Sequence, residues 1–263
     1  KNKTLELTKS IFSLIFIYIG IKFLAAIILI PFAIVLNLIF KVNLLGNQYD
    51  SILDLIVNCT DQVLGIYFFT KIYRKKEFNV PKINNHMSLK TLGKYALISL
   101  GVSGISNLWI FLMQFLATYS PTIKSSLESF IEHDEIFNAN PILAFISVAI
   151  LAPIVDEIIF RGIIFNEAAK YKGGSFPIII SALLFGLAHM RPIQIVYAFI
   201  VGLIFGFVYS KTHSLPIVMF LHMLNNLLTL FPEPFSTFIS IIQILCIIPM
   251  IYLLKKLYKE STV

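Results

Sequence analysis

Residues 142–165 read ILAFISVAILAPIVDEIIFRGIIF, an apolar stretch interrupted by an acidic pair and a single arginine. A helix of this length can cross a hydrocarbon core of about 30 Å. Its charged residues, Asp156, Glu157 and Arg161, are costly in lipid unless they pair or face water. The stretch therefore predicts a membrane-spanning helix whose charged side chains turn towards the interior of a helical bundle.

The whole chain has the composition of an integral membrane protein. Its 263 residues are 57% hydrophobic and 13% charged, with a mean hydropathy of +0.85. Soluble domains are about half apolar and about a quarter charged. We therefore predict one all-α integral membrane domain over residues 1–263, from the lengths of the apolar runs, the charged residues that flank them and the Pro or Gly residues that separate them. Its eight transmembrane helices are expected near 10–40, 51–73, 93–118, 141–165, 176–190, 193–210, 215–230 and 235–256.

The positive charge of the chain follows the membrane topology. The net charge is +7, but the Lys and Arg residues lie in short flanks of apolar runs, so the expected partner is the lipid bilayer and not nucleic acid. With the N-terminus inside, sixteen Lys and Arg fall in cytoplasmic segments and three fall on the opposite side. Both termini are therefore predicted to be cytoplasmic. Richness in Ile, Asn and Lys is typical of an AT-rich bacterial genome, which favours the bacterial cytoplasmic membrane.

Several features outside the central stretch also predict structure. The first apolar run is longer than a signal-peptide core, so we expect it to remain as an anchor. It contains a lysine, Lys22, in its apolar part. Residues 125–136 are expected to form a short interfacial helix. The second helix carries polar residues at helical spacing, which should face the bundle interior: Asp54, Asn58, Asp61 and Gln62.

Three later helices carry the side chains that could perform chemistry. Glu157 and Arg161 are at i and i+4, so they share a helix face and can neutralise each other, whereas Asp156 points about 100° away. The fifth helix contributes FGLAH at 185–189, and the seventh contributes HMLNN at 222–226. Counted from the cytoplasmic ends, these side chains lie at similar depth, roughly 10 to 20 Å into the membrane at about 1.5 Å per residue.

A carboxylate, two histidines and an amide at one depth are the components of a hydrolytic site. A carboxylate with His189 can activate a water, while His222 and Asn226 can donate hydrogen bonds to the oxyanion at an attacked carbonyl. Taken singly, an intramembrane histidine is more often an interhelical hydrogen-bonding residue. A zinc site made from the two histidines and a carboxylate is an alternative, although His222 and Asn226 lack the paired HxxxH signature of many zinc hydrolases. We expect no metal or other cofactor.

The order Asp-Glu-x3-Arg, Phe-x3-His and His-x3-Asn over residues 141–231 resembles the three motifs of the CPBP family (CAAX protease and bacteriocin-processing, or Abi). The family pattern is Glu-Glu-x3-Arg, Phe-x3-His and His-x3-Asn or a close variant. The resemblance implies an eight-helix intramembrane glutamate-dependent endopeptidase fold with a site open towards the cytosol. It assigns Asp156, Glu157, His189, His222 and Asn226 to the catalytic site, with Arg161 and Phe185 in support.

Asp156 departs from the family pattern, because it stands where the first glutamate, the presumed water activator, is expected. Aspartate withdraws the carboxylate by one methylene, which can shift a water-mediated attack by about 1 Å. We therefore expect an intramembrane endopeptidase acting on a peptide or a membrane-protein segment. The alternative is a nonproteolytic CPBP-like protein, such as a bacteriocin immunity factor or a scaffold for a membrane-protein partner. A transporter is not favoured, because the sequence shows no inverted repeat.

Overall fold

The described part of the chain folds into helices, and no strand occurs within it. The computed structural model describes residues 3–40, 47–78, 88–134, 140–230 and 235–260. The helices in chain order are α1 (Lys3–Phe40), α2 (Asn47–Lys75), α3 (Leu89–Ala117), α4 (Pro121–Asp134), α5 (Pro141–Tyr171), α6 (Phe176–Ala188), α7 (Pro192–Thr212), α8 (Leu215–Leu230), α9 (Phe235–Leu245) and α10 (Ile247–Glu260).

The predicted all-α polytopic membrane fold is confirmed. Five helices of the described chain, α1, α2, α3, α5 and α7, are long and apolar enough to cross a bilayer. Helices α9 and α10, which meet at a bend of 40°, are together long and apolar enough to count as a sixth span if the pair crosses as one. Helices α6 and α8 are shorter apolar helices at the positions predicted for the fifth and seventh spans. Helix α4 contains residues 125–134 of the short helix expected over residues 125–136, whose last two residues lie outside the described chain. Its interfacial position stays a prediction. The cytoplasmic location of both termini stays a prediction.

Small residues bring the helices around α5 into close contact. A Cβ on Gly202 of α7 would lie 3.0 Å from Ala182 Cα of α6, and one on Gly186 of α6 would lie 2.8 Å from the Ile195 carbonyl oxygen. Helices that pack through such glycines approach backbone to backbone. Helices α6 and α7 therefore form a tight hairpin, which holds the aromatic ring of Phe185 against α5.

Helix α5 is not α-helical throughout, and its irregularity falls at the charged residues. Two π-helical stretches, Phe145–Leu151 and Ile158–Phe165, flank the α-helical turn Ala152–Glu157. Every residue of the second stretch is buried. Wide π turns rotate the side chains that follow them and are frequent at functional sites. Here the π turns determine the direction in which the side chains of Glu157 and Arg161 project from α5.

Candidate functional site

A fully buried ion pair forms the centre of the site. Arg161 Nη1 donates to Glu157 Oε1 at 3.0 Å, and neither side chain is exposed. Arg161 Nη2 donates to the carbonyl oxygen of Gly202 at 3.0 Å, and the guanidinium lies 4.7 Å from the centre of the Phe185 ring. The arginine predicted to pair within its own helix therefore also joins α5 to α6 and α7.

His222 is attached to the same carboxylate oxygen. Its Nδ1 lies 2.8 Å from Glu157 Oε1. An ionised carboxylate can only accept hydrogen bonds, so Nδ1 carries the proton of this bond and Nε2 is left facing away from Glu157. Glu157 therefore fixes both the orientation and the tautomer of His222, as a carboxylate does for a catalytic or metal-bound histidine.

His189 reaches the site from the end of α6. Its Nδ1 lies 2.8 Å from the carbonyl oxygen of Phe185, and that oxygen can only accept, so Nδ1 is the donor and Nε2 of the neutral ring keeps a lone pair. The Phe185 ring contacts both imidazoles edge to face, with centroid distances of 4.9 Å to His189 and 5.5 Å to His222. The two histidines therefore lie on either side of one aromatic ring.

Asn226 owes its position to the π-helical stretch of α5. In the π register the carbonyl of residue 148 would accept from residue 153, which is Pro153 and has no N–H. The freed carbonyl of Val148 accepts from Asn226 Nδ2 at 2.9 Å. One amide hydrogen of Asn226 is therefore used to anchor α8, and the second is available to another acceptor.

Asp156, the neighbour of Glu157, is held quite differently. It is half-buried, and it forms no hydrogen bond or ion pair with any residue in the described ranges. It directly precedes Glu157 on α5, so it lies beside the ion pair of Glu157 and Arg161. The structure thus separates the acidic pair into a bound carboxylate, Glu157, and an unengaged one, Asp156.

The first two helices add charged residues that the motif analysis missed. Lys22 of α1 forms an ion pair with Asp61 of α2 at 2.9 Å. The signal was present in the sequence, since both residues lie inside apolar helices and each needs a partner there.

The polar face predicted for α2 is correct only in part. Asp61 is buried, and Asn58 and Gln62 are half-buried, with Gln62 hydrogen-bonded to Ser147 of α5 at 3.1 Å. Asp54 is exposed, so its expected inward orientation is wrong. It lies near the start of α2, where a carboxylate can reach the membrane surface instead of the bundle interior.

Metal ligation was the alternative use of the same side chains. In the parts of the chain that the structure describes, no three His, Cys, Asp or Glu side chains come together as a metal-binding group. His222 uses Nδ1 on Glu157 and His189 uses Nδ1 on Phe185, so each keeps only Nε2. Independence from metal stays a prediction.

Part of the chain is similar to a known protein family. Residues 138–228 match the family model described as "Type II CAAX prenyl endopeptidase Rce1-like". This segment of the chain is therefore similar to the CPBP family. All seven residues assigned from the motifs lie inside the matched segment, whereas α1 and α2 lie outside it. The matched segment begins just before α5 and ends within α8.

One curated relative is a candidate membrane peptidase, YdiL of Bacillus subtilis (strain 168). It is 29% identical to this protein over 134 residues, which cover 47% of the chain and 54% of the relative. The chain thus spans about half the length of that relative. No solved structure matches this chain.

Proposed function

We propose that this chain is an intramembrane endopeptidase that hydrolyses a peptide or a membrane-associated protein segment in the cytoplasmic half of the bilayer. The family match and the relative support a membrane protease. The single observation that carries the proposal is that the two adjacent carboxylates differ in their contacts. Glu157 orients His222 and forms an ion pair with Arg161, whereas Asp156 has neither contact.

In the proposed reaction Asp156 and His189 activate a water molecule. The water oxygen attacks the scissile carbonyl carbon while its proton passes to Asp156 or to His189 Nε2. The carbonyl oxygen then becomes an oxyanion, to which the remaining amide hydrogen of Asn226 donates. His222 uses its Nδ1 hydrogen on Glu157, so it donates to the oxyanion from Nε2 in its doubly protonated form, as a cation paired with Glu157. Collapse of this intermediate breaks the C–N bond, and the stored proton passes to the leaving amine.

No covalent intermediate is required by this scheme, because water is the nucleophile. Asp156 forms no hydrogen bond with either imidazole, although all three residues are described. In this scheme a water molecule, not a direct hydrogen bond, connects Asp156 with His189. Asp156 takes the place of the family's first glutamate as the water-activating carboxylate.

Comparative peptidomics of cells carrying the wild-type protein, Asp156→Asn or Glu157→Gln tests the proposal. We expect a set of peptides that the wild type produces and the Asp156→Asn variant does not. Glu157→Gln should reduce the same set, because a neutral amide holds His222 less firmly. Identical peptidomes, together with unimpaired cellular function in His189→Ala and His222→Ala cells, would instead support the nonproteolytic immunity or scaffold role.

A further inference from the structure

Three consecutive carbonyl oxygens of the second π-helical stretch of α5 accept hydrogen bonds from side chains. The oxygen of Phe160 accepts from Ser181 Oγ of α6 at 2.9 Å. The oxygens of Arg161 and Gly162 accept from Asn166 Nδ2 at 3.1 and 2.7 Å. Irregular helical backbone inside a membrane depends on such donors, because lipid offers none to a carbonyl. Side chains therefore hold this π stretch in addition to its own backbone.

Asn166 ends the stretch by using its side chain where its backbone does not reach. Its backbone N–H donates to the carbonyl oxygen of Ile163. In an α-helix that N–H would donate to Gly162, and in a π-helix it would donate to Arg161. The side-chain amide of Asn166 donates to these same two carbonyl oxygens. Asn166 thus supplies from its side chain the donor that its backbone gives to Ile163.

Helices α6 and α7 keep both side chains in place. Ser181 is fully buried, and it lies one turn before Phe185, so both side chains project from the same face of α6 towards α5. On α7, the hydroxyl oxygen of the buried Tyr209 accepts from Asn166 Nδ2 at 3.0 Å. The hairpin of α6 and α7 therefore contacts the π stretch in its middle and at its end.

This stretch determines where the bound carboxylate of the site lies. Glu157 directly precedes Ile158–Phe165, and Arg161 lies within it. If the stretch relaxed to an α-helix, residues on its two sides would rotate relative to each other, because a π turn closes over one more residue than an α turn. Glu157 Oε1 contacts Arg161 at 3.0 Å and His222 at 2.8 Å. Both contacts therefore depend on the π geometry.

We propose that Ser181 and Asn166, the latter held by Tyr209, are positioning residues of the site that keep Ile158–Phe165 in the π form and so align Glu157 with His222. For its effect on rate this inference rests on the proposed hydrolysis. Both residues act through carbonyl groups of α5 and not on the reacting atoms. Neither belongs to the motifs from which the site was predicted.

Conservative variants remove these hydrogen bonds with little change of shape. Ser181→Ala removes the donor to Phe160, and Asn166→Leu removes the donor to the next two carbonyls. Ser181→Cys keeps the size of the side chain with a weaker donor, so its effect should be intermediate. Ser106→Ala is the matched control, because its hydroxyl donates to the Val102 carbonyl of its own helix, α3.

Proton NMR of the full chain in nanodiscs, with ¹⁵N-labelled histidine, measures the alignment without a substrate. A proton held between imidazole and carboxylate resonates far downfield, and the signal of His222 is the one that His222→Gln removes. We expect Ser181→Ala and Asn166→Leu to move this signal upfield. Ser181→Cys should move it less, and Ser106→Ala should leave it in place. An unmoved signal in folded Ser181→Ala and Asn166→Leu protein would overturn the proposal.

Peptide cleavage by the same preparations separates this inference from the proposed function. If the wild type cleaves, Ser181→Ala and Asn166→Leu should lower kcat about ten- to hundredfold and leave KM within about twofold, because a misplaced group slows the chemistry more than it weakens binding. An unchanged kcat in both folded variants would contradict the positioning role. If the wild type cleaves nothing while the NMR signal still moves, the hydrolase proposal fails and the alignment of Glu157 by Ser181 and Asn166 stands.

Discussion

Replacement of Arg161 by methionine should destabilise the protein more than loss of the ion pair with Glu157 alone suggests. The side chain is fully buried, donates to Glu157 and Gly202, and lies over the Phe185 ring. Methionine fills much of the space but leaves the Glu157 carboxylate without its cation. Breaking a buried pair by removing one partner costs about 3–5 kcal/mol, because a charge stays buried and uncompensated.

The double variant Arg161→Met with Glu157→Gln separates this cost from the packing of the side chain. Removing both charges should recover most of the lost free energy of unfolding and leave a deficit of about 1–2 kcal/mol from the Gly202 and aromatic contacts. Cleavage should stay below the wild-type level, since the neutral amide of Glu157→Gln holds His222 less firmly. Unfolding in mixed micelles by added SDS measures the free energy. A double variant as unstable as the single one would refute the reasoning.

Other predictions follow from positions around the site. Gly104→Ala should destabilise the protein by about 1–3 kcal/mol, because the added Cβ would overlap the Gln243 carbonyl oxygen. Gly93→Ala is the control, because nothing lies within 4 Å of its added Cβ. Unfolding by SDS compares the free energies of unfolding of the two variants. Burial lowers the pKa of His213, so the folded state resists protonation of this ring. The free energy of unfolding should therefore fall as the pH drops below the ordinary histidine pKa of about 6.5. His213→Asn should flatten that decline in thermal unfolding between pH 7 and 5, because asparagine tolerates the same positive φ and does not titrate. Peptide cleavage should survive dialysis against a chelator; a loss that added Zn²⁺ restores would contradict a carboxylate-activated water.

Local spacing was enough to predict what lies within one helix. The i, i+4 relation of Glu157 and Arg161 predicts their contact, and the structure contains it at 3.0 Å. The helical segments of the membrane fold were also predictable, because apolar length and charged flanks report on the bilayer directly. Their ends differ from the structure by several residues, as at the start of α3.

Contacts between helices were not predictable from spacing. The binding of His222 to Glu157 depends on where α8 crosses α5, and the bond from Asn226 to Val148 depends on a π turn above Pro153. Both contacts depend on packing between segments that are distant in the chain, which a single sequence does not encode in readable periodicity. The bend between α9 and α10 is different, because it falls at Cys246, just before Pro249. Pro249 has no N–H for the carbonyl of Leu245, so this break has a local signal in the sequence.

Cleavage of a peptide library by purified protein in nanodiscs, performed in water labelled with ¹⁸O, tests the hydrolytic site most directly. We predict that the wild-type protein releases products carrying one ¹⁸O atom in the new carboxyl group. Asp156→Asn, His189→Ala and His222→Ala should release none while remaining folded by SDS unfolding. Undiminished, labelled cleavage by folded variants of all three residues would show that the reaction takes place elsewhere, and a wild type that cleaves no member of the library would contradict hydrolysis itself.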